Sequence, residues 1–148
     1  MKGTFQIVYT MEDYYDGPRS GVAEFDGRPH YYRSVYLDTP RWNPDEDRFE
    51  LSLVTQDVLA AACESAAIFK RWDKVRRETP GFSYTDDEFG ALAEERARYR
   101  DLEQFLKSSY TTAAQAQRVL VYGDFRVCES SPSRLEVRWR LAEYGRVA

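Results

Sequence analysis

The chain has 148 residues and a mass of 17.3 kDa, which suits a single domain that can bury a hydrophobic core without a structural metal. Its 43% hydrophobic and 15% aromatic content is typical of a soluble globular protein and argues against a disordered chain. A formal charge of −4 excludes a strong positive field over the whole molecule that would attract nucleic acid.

The N-terminal part of the chain predicts three strands. Hydrophobic and polar residues alternate over residues 4–11, which is the period of a half-buried strand. Two further strands, Gly21–Phe25 and His30–Leu37, flank the pair Asp26-Gly27. An Asp-Gly pair readily adopts the positive φ that a tight hairpin turn needs, so residues 21–37 predict a β-hairpin.

The next segment predicts an irregular connection followed by a strand. Residues 38–48 contain two prolines and several charged residues, and we expect Trp42 within them to fold back onto the sheet. Phe49–Val54 then predicts a fourth strand with Phe49, Leu51 and Leu53 on one face.

Two amphipathic helices are predicted in the middle of the chain. Thr55 can cap the first helix, and Pro80-Gly81 ends it. The second begins at Thr85–Glu88, which has the pattern of a capping box. Helical spacing predicts these buried stripes: Val58, Ala61, Ala62, Ser65, Ile68, Phe69, Trp72 and Val75 in the first helix, and Phe89, Leu92, Tyr99, Leu102 and Leu106 in the second.

The C-terminal part predicts two more strands. A short helical turn is expected after Tyr110, and Arg118–Cys128 then predicts a strand with Gly123 as a possible bulge. From Leu135 to Leu141 apolar residues alternate with charged ones, which is the clearest strand pattern in the chain. The order of elements predicts one α+β domain over residues 1–148, with a mostly antiparallel sheet of about six strands and two amphipathic helices packed on one face.

Other features of the sequence indicate the cellular compartment of the protein. The sequence MKGTFQIVYTME lacks the apolar core of a signal peptide, and no apolar run reaches the length of a membrane span. The two cysteines, Cys63 and Cys128, are too few for a disulfide framework and lack the spacing of paired metal ligands. We therefore expect a cytoplasmic protein with no membrane association.

Parts of the two predicted sheet regions resemble a known group of sequences. The segments Tyr15–Ala23, Phe25 and Pro29-His30, together with Gly123–Arg126 and Leu135–Trp139, resemble small uncharacterised bacterial proteins. Those proteins carry a DGPRxGxA motif near the N-terminus and end in a similar strand of arginine and tryptophan. The resemblance spans most of the chain and implies a bacterial protein, but it implies no activity.

The most unusual local composition lies between Tyr14 and Tyr36, which includes the single histidine and five of the eleven tyrosines. A ligand-binding pocket is the functional hypothesis for this stretch, and it would use Tyr15, Asp16, Arg19, His30 and Tyr32. Arginine can hold a carboxylate or phosphate, and histidine can exchange protons near neutral pH. The structural alternative, which we favour, is that these residues serve a turn, a local ion pair and a strand start.

Other chemical signatures are missing from the sequence. One histidine and two distant cysteines do not form a zinc set, and Asp45-Glu46-Asp47 lacks the spacing of a calcium loop. No nucleophile elbow or phosphate-binding glycine loop occurs. We therefore predict no catalytic residues, no metal and no cofactor.

Three functions remain open. A non-enzymatic binding protein is the first hypothesis, because tyrosine and arginine are favoured at contact surfaces. A small enzyme or ligand sensor built on Asp16, Arg19 and His30 is the alternative. Nucleic-acid binding ranks last: Arg138 and Arg140 could contribute to a positive face, or they could pair with acids on a neighbouring strand. The sequence identifies neither the partner nor the oligomeric state.

Overall fold

A computed structural model describes residues 4–14, 17–35, 48–78 and 93–147, with only the backbone described at 93–94 and 143–147. The predicted α+β class, with a mostly antiparallel sheet and two helices, is confirmed. In chain order the elements are β1 (Gln6–Ile7), β2 (Asp13–Tyr14), β3 (Pro18–Phe25), β4 (Arg28–Ser34), β5 (Arg48–Leu53), α1 (Gln56–Glu78), α2 (Ala93–Ala116), β6 (Arg118–Cys128) and β7 (Ser131–Val147).

The N-terminal segment brings the two edges of the sheet together. All neighbouring strands are antiparallel in the order β1-β7-β6-β5-β4-β3-β2, so β1 and β2 lie at opposite edges although only residues 8–12 separate them. Val8 forms an isolated bridge with Ala23 of β3, and its N–H donates to the carbonyl oxygen of Leu135 at 3.2 Å. The sheet therefore curls round, and it acquires an interior side and an outer side.

Aromatic rings fill the interior of the curled sheet. Tyr32, Phe49, Phe125 and Trp139 contribute one ring each, with neighbouring ring centroids 5.4–6.0 Å apart. These separations are typical of tilted and edge-to-face aromatic packing. Gly123 makes room for this cluster, because a Cβ there would lie 2.7 Å from the Trp139 ring and 3.0 Å from the Phe49 ring. The interior is thus a packed core built from period-two strands.

The helices cover part of the outer side. Val22 of β3 packs with residues of α1 and α2, and Tyr31 of β4 stacks on Tyr110 of α2 with ring centroids 3.9 Å apart. The predicted stripe of α1 is buried from Val58 to Ile68, whereas Phe69 is 46% exposed. Trp72 and Val75, the last residues of the predicted stripe, are half-buried.

Several local predictions are corrected by the structure. The single strand expected over 4–11 is reduced to β1 and the isolated bridge of Val8, because the segment pairs first with β7 and then with β3. Leu53, expected to share a face with Phe49 and Leu51, is 45% exposed at the end of β5. The short turn expected after Tyr110 is part of α2, which continues to Ala116. Gly123 is not a bulge, since the register shifts lie at Val119/Val121 and Val127/Cys128. Within the described residues, neither helix has an apolar stretch long enough to cross a membrane.

Some predictions fall on residues outside the described part of the chain. These are the connection over 38–48 apart from Arg48, Trp42 within it, the helix stop at Pro80-Gly81, the capping box Thr85–Glu88, and the stripe residues Phe89 and Leu92.

Candidate functional site

The β3–β4 hairpin forms where the Asp-Gly pair predicted it. Asp26 has φ 55° and Gly27 has φ 75°, the positive values that let a two-residue turn match the twist of its strands. The turn fixes the register, in which Gly21 pairs with Tyr32 and Ala23 pairs with His30. Because side chains alternate along a strand, Arg19, Tyr32 and His30 are all directed to the interior side.

The three predicted pocket residues that the structure describes, Arg19, His30 and Tyr32, lie inside the curled sheet. Tyr15 and Asp16 lie outside the described residues. Arg19, Tyr32 and His30 are buried, with exposed fractions of 1%, 0% and 8%. Arg19 precedes Ala23, the partner of His30, by four positions, or about 13 Å along the strand. Arg19 and His30 therefore occupy different levels of the interior, and the pair Gly21–Tyr32 lies between them.

His30 lies at the turn end of the hairpin. Its Nδ1 is 3.0 Å from the carbonyl oxygen of Arg28, to which it donates, and its ring meets Phe25 edge-on at 5.1 Å. Burial removes water from the imidazole and lowers the pKa of His30 below its usual value. The ring is therefore neutral at neutral pH and packs as a hydrogen-bonded part of the core.

Tyr32 connects the interior to the N-terminal segment. Its hydroxyl donates to the carbonyl oxygen of Thr10 at 2.8 Å, and burial raises the pKa of Tyr32. This approach requires glycine at position 21, where φ is 155° and a Cβ would lie 2.2 Å from the Thr10 oxygen. The closed sheet therefore buries Tyr32 completely.

A polar network, which we call the Glu12 network, joins the N-terminal segment to α2. Thr10 Oγ1 accepts a bond from the N–H of Val22 at 2.9 Å and donates to Glu12 Oε2 at 3.3 Å. The hydroxyl of Tyr110 donates to the same carboxylate oxygen at 2.8 Å. Tyr31 stacks on Tyr110, so the network lies against the aromatic packing of the helix side.

The surroundings of Glu12 favour its protonated form. Desolvation raises the pKa of Glu12, and the hydrogen bonds from Tyr110 and Thr10 act in the opposite direction. Although Glu12 is exposed as a whole residue, its carboxylate is turned inward to these donors. Burial raises the pKa of Tyr31 to about 12, with the Glu12 charge as a further cause. The phenols are therefore hydrogen-bond donors at neutral pH, and the network fastens residues 10–12 to the helix.

A second group of side chains lies on the outer side of the sheet, on β5, β6 and β7 and beside β1. We call it the arginine face and define it by Phe5, Arg48, Tyr122, Arg126, Arg138 and Arg140. The guanidinium carbon of Arg126 lies 3.5 Å from the Phe5 ring centroid, and that of Arg138 lies 4.9 Å from it. The guanidinium carbon of Arg140 is 4.3 Å from the centroid of Tyr122. These distances are within the range of cation–π attraction.

Two of the arginines on this face have acidic partners on the adjacent strand. Arg138 donates to Asp124 of β6 at 2.8 Å, and Arg126 of β6 donates to Glu136 of β7. The prediction that Arg138 could pair with a neighbouring acid is confirmed. Arg140 differs, because its contact is the Tyr122 ring and no carboxylate of the described residues lies within ion-pair distance.

Arg48 completes a row across three strands. It pairs in register with Tyr122 of β6, which in turn pairs with Arg140 of β7. The Nε of Arg48 is buried, and no atom of the described residues accepts a hydrogen bond from it. Sequence analysis missed this row, because the alternation shows that a residue points outward but not which outward residues become neighbours.

Comparisons of the chain with protein-family models, with curated proteins and with solved structures return no match. Among the described residues, no group of three or more histidine, cysteine, aspartate or glutamate side chains is arranged to hold a metal ion. The Glu12 network and the arginine face are the two candidate functional groups among the described residues.

Proposed function

We propose that the protein is a non-enzymatic binding or interaction protein whose contact surface is the arginine face. The observation that carries this proposal is the outer side of β6 and β7, where Arg126 and Arg140 are exposed and Phe5 and Tyr122 are half-buried beneath guanidinium groups. Arginine and tyrosine dominate the residues that contribute most to binding at protein interfaces.

The arginine face combines two properties of a contact surface. Stacking on the rings restricts Arg126 and Arg140 in the free protein, so less side-chain entropy remains to be lost on binding. A guanidinium stacked through its face still has N–H groups at its edge that can donate to a partner. In the Glu12 network, by contrast, the hydroxyl donors already form hydrogen bonds within the fold.

The alternative, a small enzyme or ligand sensor at Asp16, Arg19 and His30, has less support. A catalytic pair must lie within hydrogen-bond reach of one reacting group. Arg19 and His30 are buried at different levels of the interior, and the pair Gly21–Tyr32 lies between them.

We further infer a bacterial, cytoplasmic protein. The bacterial origin follows from the resemblance of the Tyr15–Ala23 segment to small bacterial proteins. Cys63 and Cys128 are both free thiols, and Cys63 is exposed. Free thiols are more compatible with a reducing compartment than with an oxidising one.

A differential capture experiment tests the proposed surface. Tagged wild-type protein would be compared with the double variant Tyr122→Ser/Arg140→Gln in a lysate of the source organism, after circular dichroism has shown that both are folded. Arg28→Gln is the matched control, because Arg28 is exposed beside the hairpin turn and away from the arginine face.

We expect the wild type and the control to retain the same protein, and the double variant to lose it. Equal retention by all three would assign the contact to another surface. Repeated failure of the wild type to retain any protein would count against the binding function itself.

A further inference from the structure

The row Arg48–Tyr122–Arg140 has the composition of an anion-binding site. Adjacent strands lie about 4.8 Å apart, so the register places the two arginine Cα atoms about 10 Å from each other, with the tyrosine between them. Arg140 leans over the Tyr122 ring at 4.3 Å, which brings its guanidinium toward the centre of the row. The row therefore presents two cations that an extended anionic segment could contact at once.

The charges around the row are not balanced. The arginine face has four arginines, and Asp124 and Glu136 are engaged by Arg138 and Arg126. Glu50, two positions from Arg48 on β5, is engaged by Arg118 at 3.5 Å. Among the residues that the structure describes, no carboxylate forms an ion pair with Arg48 or Arg140, in a chain whose formal charge is −4. The buried, unbonded Nε of Arg48 is a donor whose desolvation is not compensated in the free protein. The Nε itself is closed to solvent, so an anionic partner would be met by the terminal N–H groups of this half-buried arginine.

We propose that this row binds an acidic segment of a protein partner, with aspartate or glutamate carboxylates accepting hydrogen bonds from Arg48 and Arg140. This inference rests on the proposed function and names the chemistry of the partner. A guanidinium can donate two parallel bonds to one carboxylate, which gives direction as well as attraction. The Cα atoms of the two arginines are about 10 Å apart and Arg140 leans toward the centre of the row, so carboxylates at alternate positions of an extended peptide, about 7 Å apart, could contact both.

The same geometry disfavours single-stranded nucleic acid. Proteins that bind it offer free aromatic faces on which bases stack. On this face Arg140 covers one side of Tyr122, and Arg126 and Arg138 approach the Phe5 ring. Asp124 is also exposed on the same side and would repel a continuous phosphate backbone.

The test is a fluorescence-anisotropy titration with three labelled probes. The first is a peptide in which glutamate and serine alternate, the second replaces each glutamate with glutamine, and the third is a deoxythymidine oligonucleotide of similar length. Inorganic phosphate serves as an unlabelled competitor. The proteins are the wild type, Arg48→Gln, Arg140→Gln and the control Arg28→Gln, each checked for folding by circular dichroism.

We expect the wild type and Arg28→Gln to bind the glutamate peptide alone, and Arg48→Gln and Arg140→Gln each to bind it about tenfold more weakly, since a hydrogen bond to a charged group contributes about that factor. Binding should weaken as salt is raised. Equal affinity of all four proteins would overturn the proposal, as would equal binding of the glutamine peptide. Tighter binding of the oligonucleotide than of the glutamate peptide would overturn it too. So would displacement of the bound glutamate peptide by inorganic phosphate at the same concentration as the peptide.

The failure of this inference can be separated from failure of the proposed function. If the double variant loses a partner in the capture experiment but excess glutamate peptide does not release that partner from the wild type, the face binds a protein through other chemistry. In that outcome the acidic-segment proposal is rejected and the binding function stands.

Discussion

Replacement of Gly21 by alanine should disrupt the contact between the N-terminal segment and β3. The added Cβ would lie 2.2 Å from the carbonyl oxygen of Thr10 and 2.8 Å from the hydroxyl of Tyr32. Both separations are far below van der Waals contact, and the neighbour at 2.2 Å is backbone, which cannot rotate away. The φ of 155° is also strained for a residue that has a side chain.

Two contributions determine how much Gly21→Ala lowers the free energy of unfolding. Holding a residue other than glycine in an unfavourable backbone conformation costs about 1–3 kcal/mol. Displacing Thr10 breaks its buried bond with the Tyr32 hydroxyl at 2.8 Å, and an unsatisfied buried partner costs about 1–3 kcal/mol. We therefore expect Gly21→Ala to lower the free energy of unfolding by about 2–6 kcal/mol, a large share of the roughly 5–15 kcal/mol available to a domain.

Urea unfolding followed by circular dichroism measures this loss. Gly27→Ala is the matched control, since Gly27 also has a positive φ but has open space around it. Its expected cost is about 1–2 kcal/mol, from backbone conformation alone. A Gly21→Ala protein as stable as Gly27→Ala would refute the steric reasoning. The double variant Gly21→Ala/Tyr32→Phe should lose less than the sum of the single losses, because both changes remove the same hydrogen bond.

Three further predictions concern the interior and the Glu12 network. Gly123→Ala should lower the free energy of unfolding by about 1–3 kcal/mol in the same assay, because the new Cβ would lie 2.7 Å from the Trp139 ring; unchanged stability would contradict the packing argument. The raised pKa of Glu12 means that its stabilising contribution is complete below pH 4.5, its ordinary value, and is lost as pH rises through the folded value. Glu12→Gln should therefore be more stable than wild type at neutral pH and similar to it at acid pH in urea titrations. A variant that is less stable than wild type at neutral pH would contradict the prediction that the charge of Glu12 destabilises the fold. Tyr110→Phe removes a donor to the carboxylate, so it should shift the pH-dependent loss of stability to higher pH; an unmoved profile would show that the bond at 2.8 Å contributes little.

Local periodicity predicted most of the elements. The strand Arg118–Cys128 was predicted with the bounds that it has in the structure, because its residues suit a pleated, half-buried surface. The stripe of α1 is buried from Val58 to Ile68, as the spacing of three and four residues requires. Leu141 is an exception: it follows the period of β7 but is 60% exposed, since its register with β6 shifts beyond Val121.

The candidate sites could be predicted from the sequence less well than the strands and helices. The histidine and arginine that stood out by composition, His30 and Arg19, are buried at separate levels of the interior. Tyr110 bonds to Glu12 across 98 positions of sequence, and no local pattern relates the two residues. Arg48 and Arg140 flank Tyr122 only because β5, β6 and β7 pair in one particular register.

The sequence by itself determined the class of the fold, because period-two and helical spacing, together with the Asp26-Gly27 turn, act over a few residues and need no distant partner. Only the tertiary structure decided that residues 6–14 join both edges of the sheet, which buries Tyr32 inside and leaves the arginine face outside. The physical reason is that an outward side chain is exposed or covered according to which strands and helices meet, and such meetings depend on contacts between residues far apart in the chain.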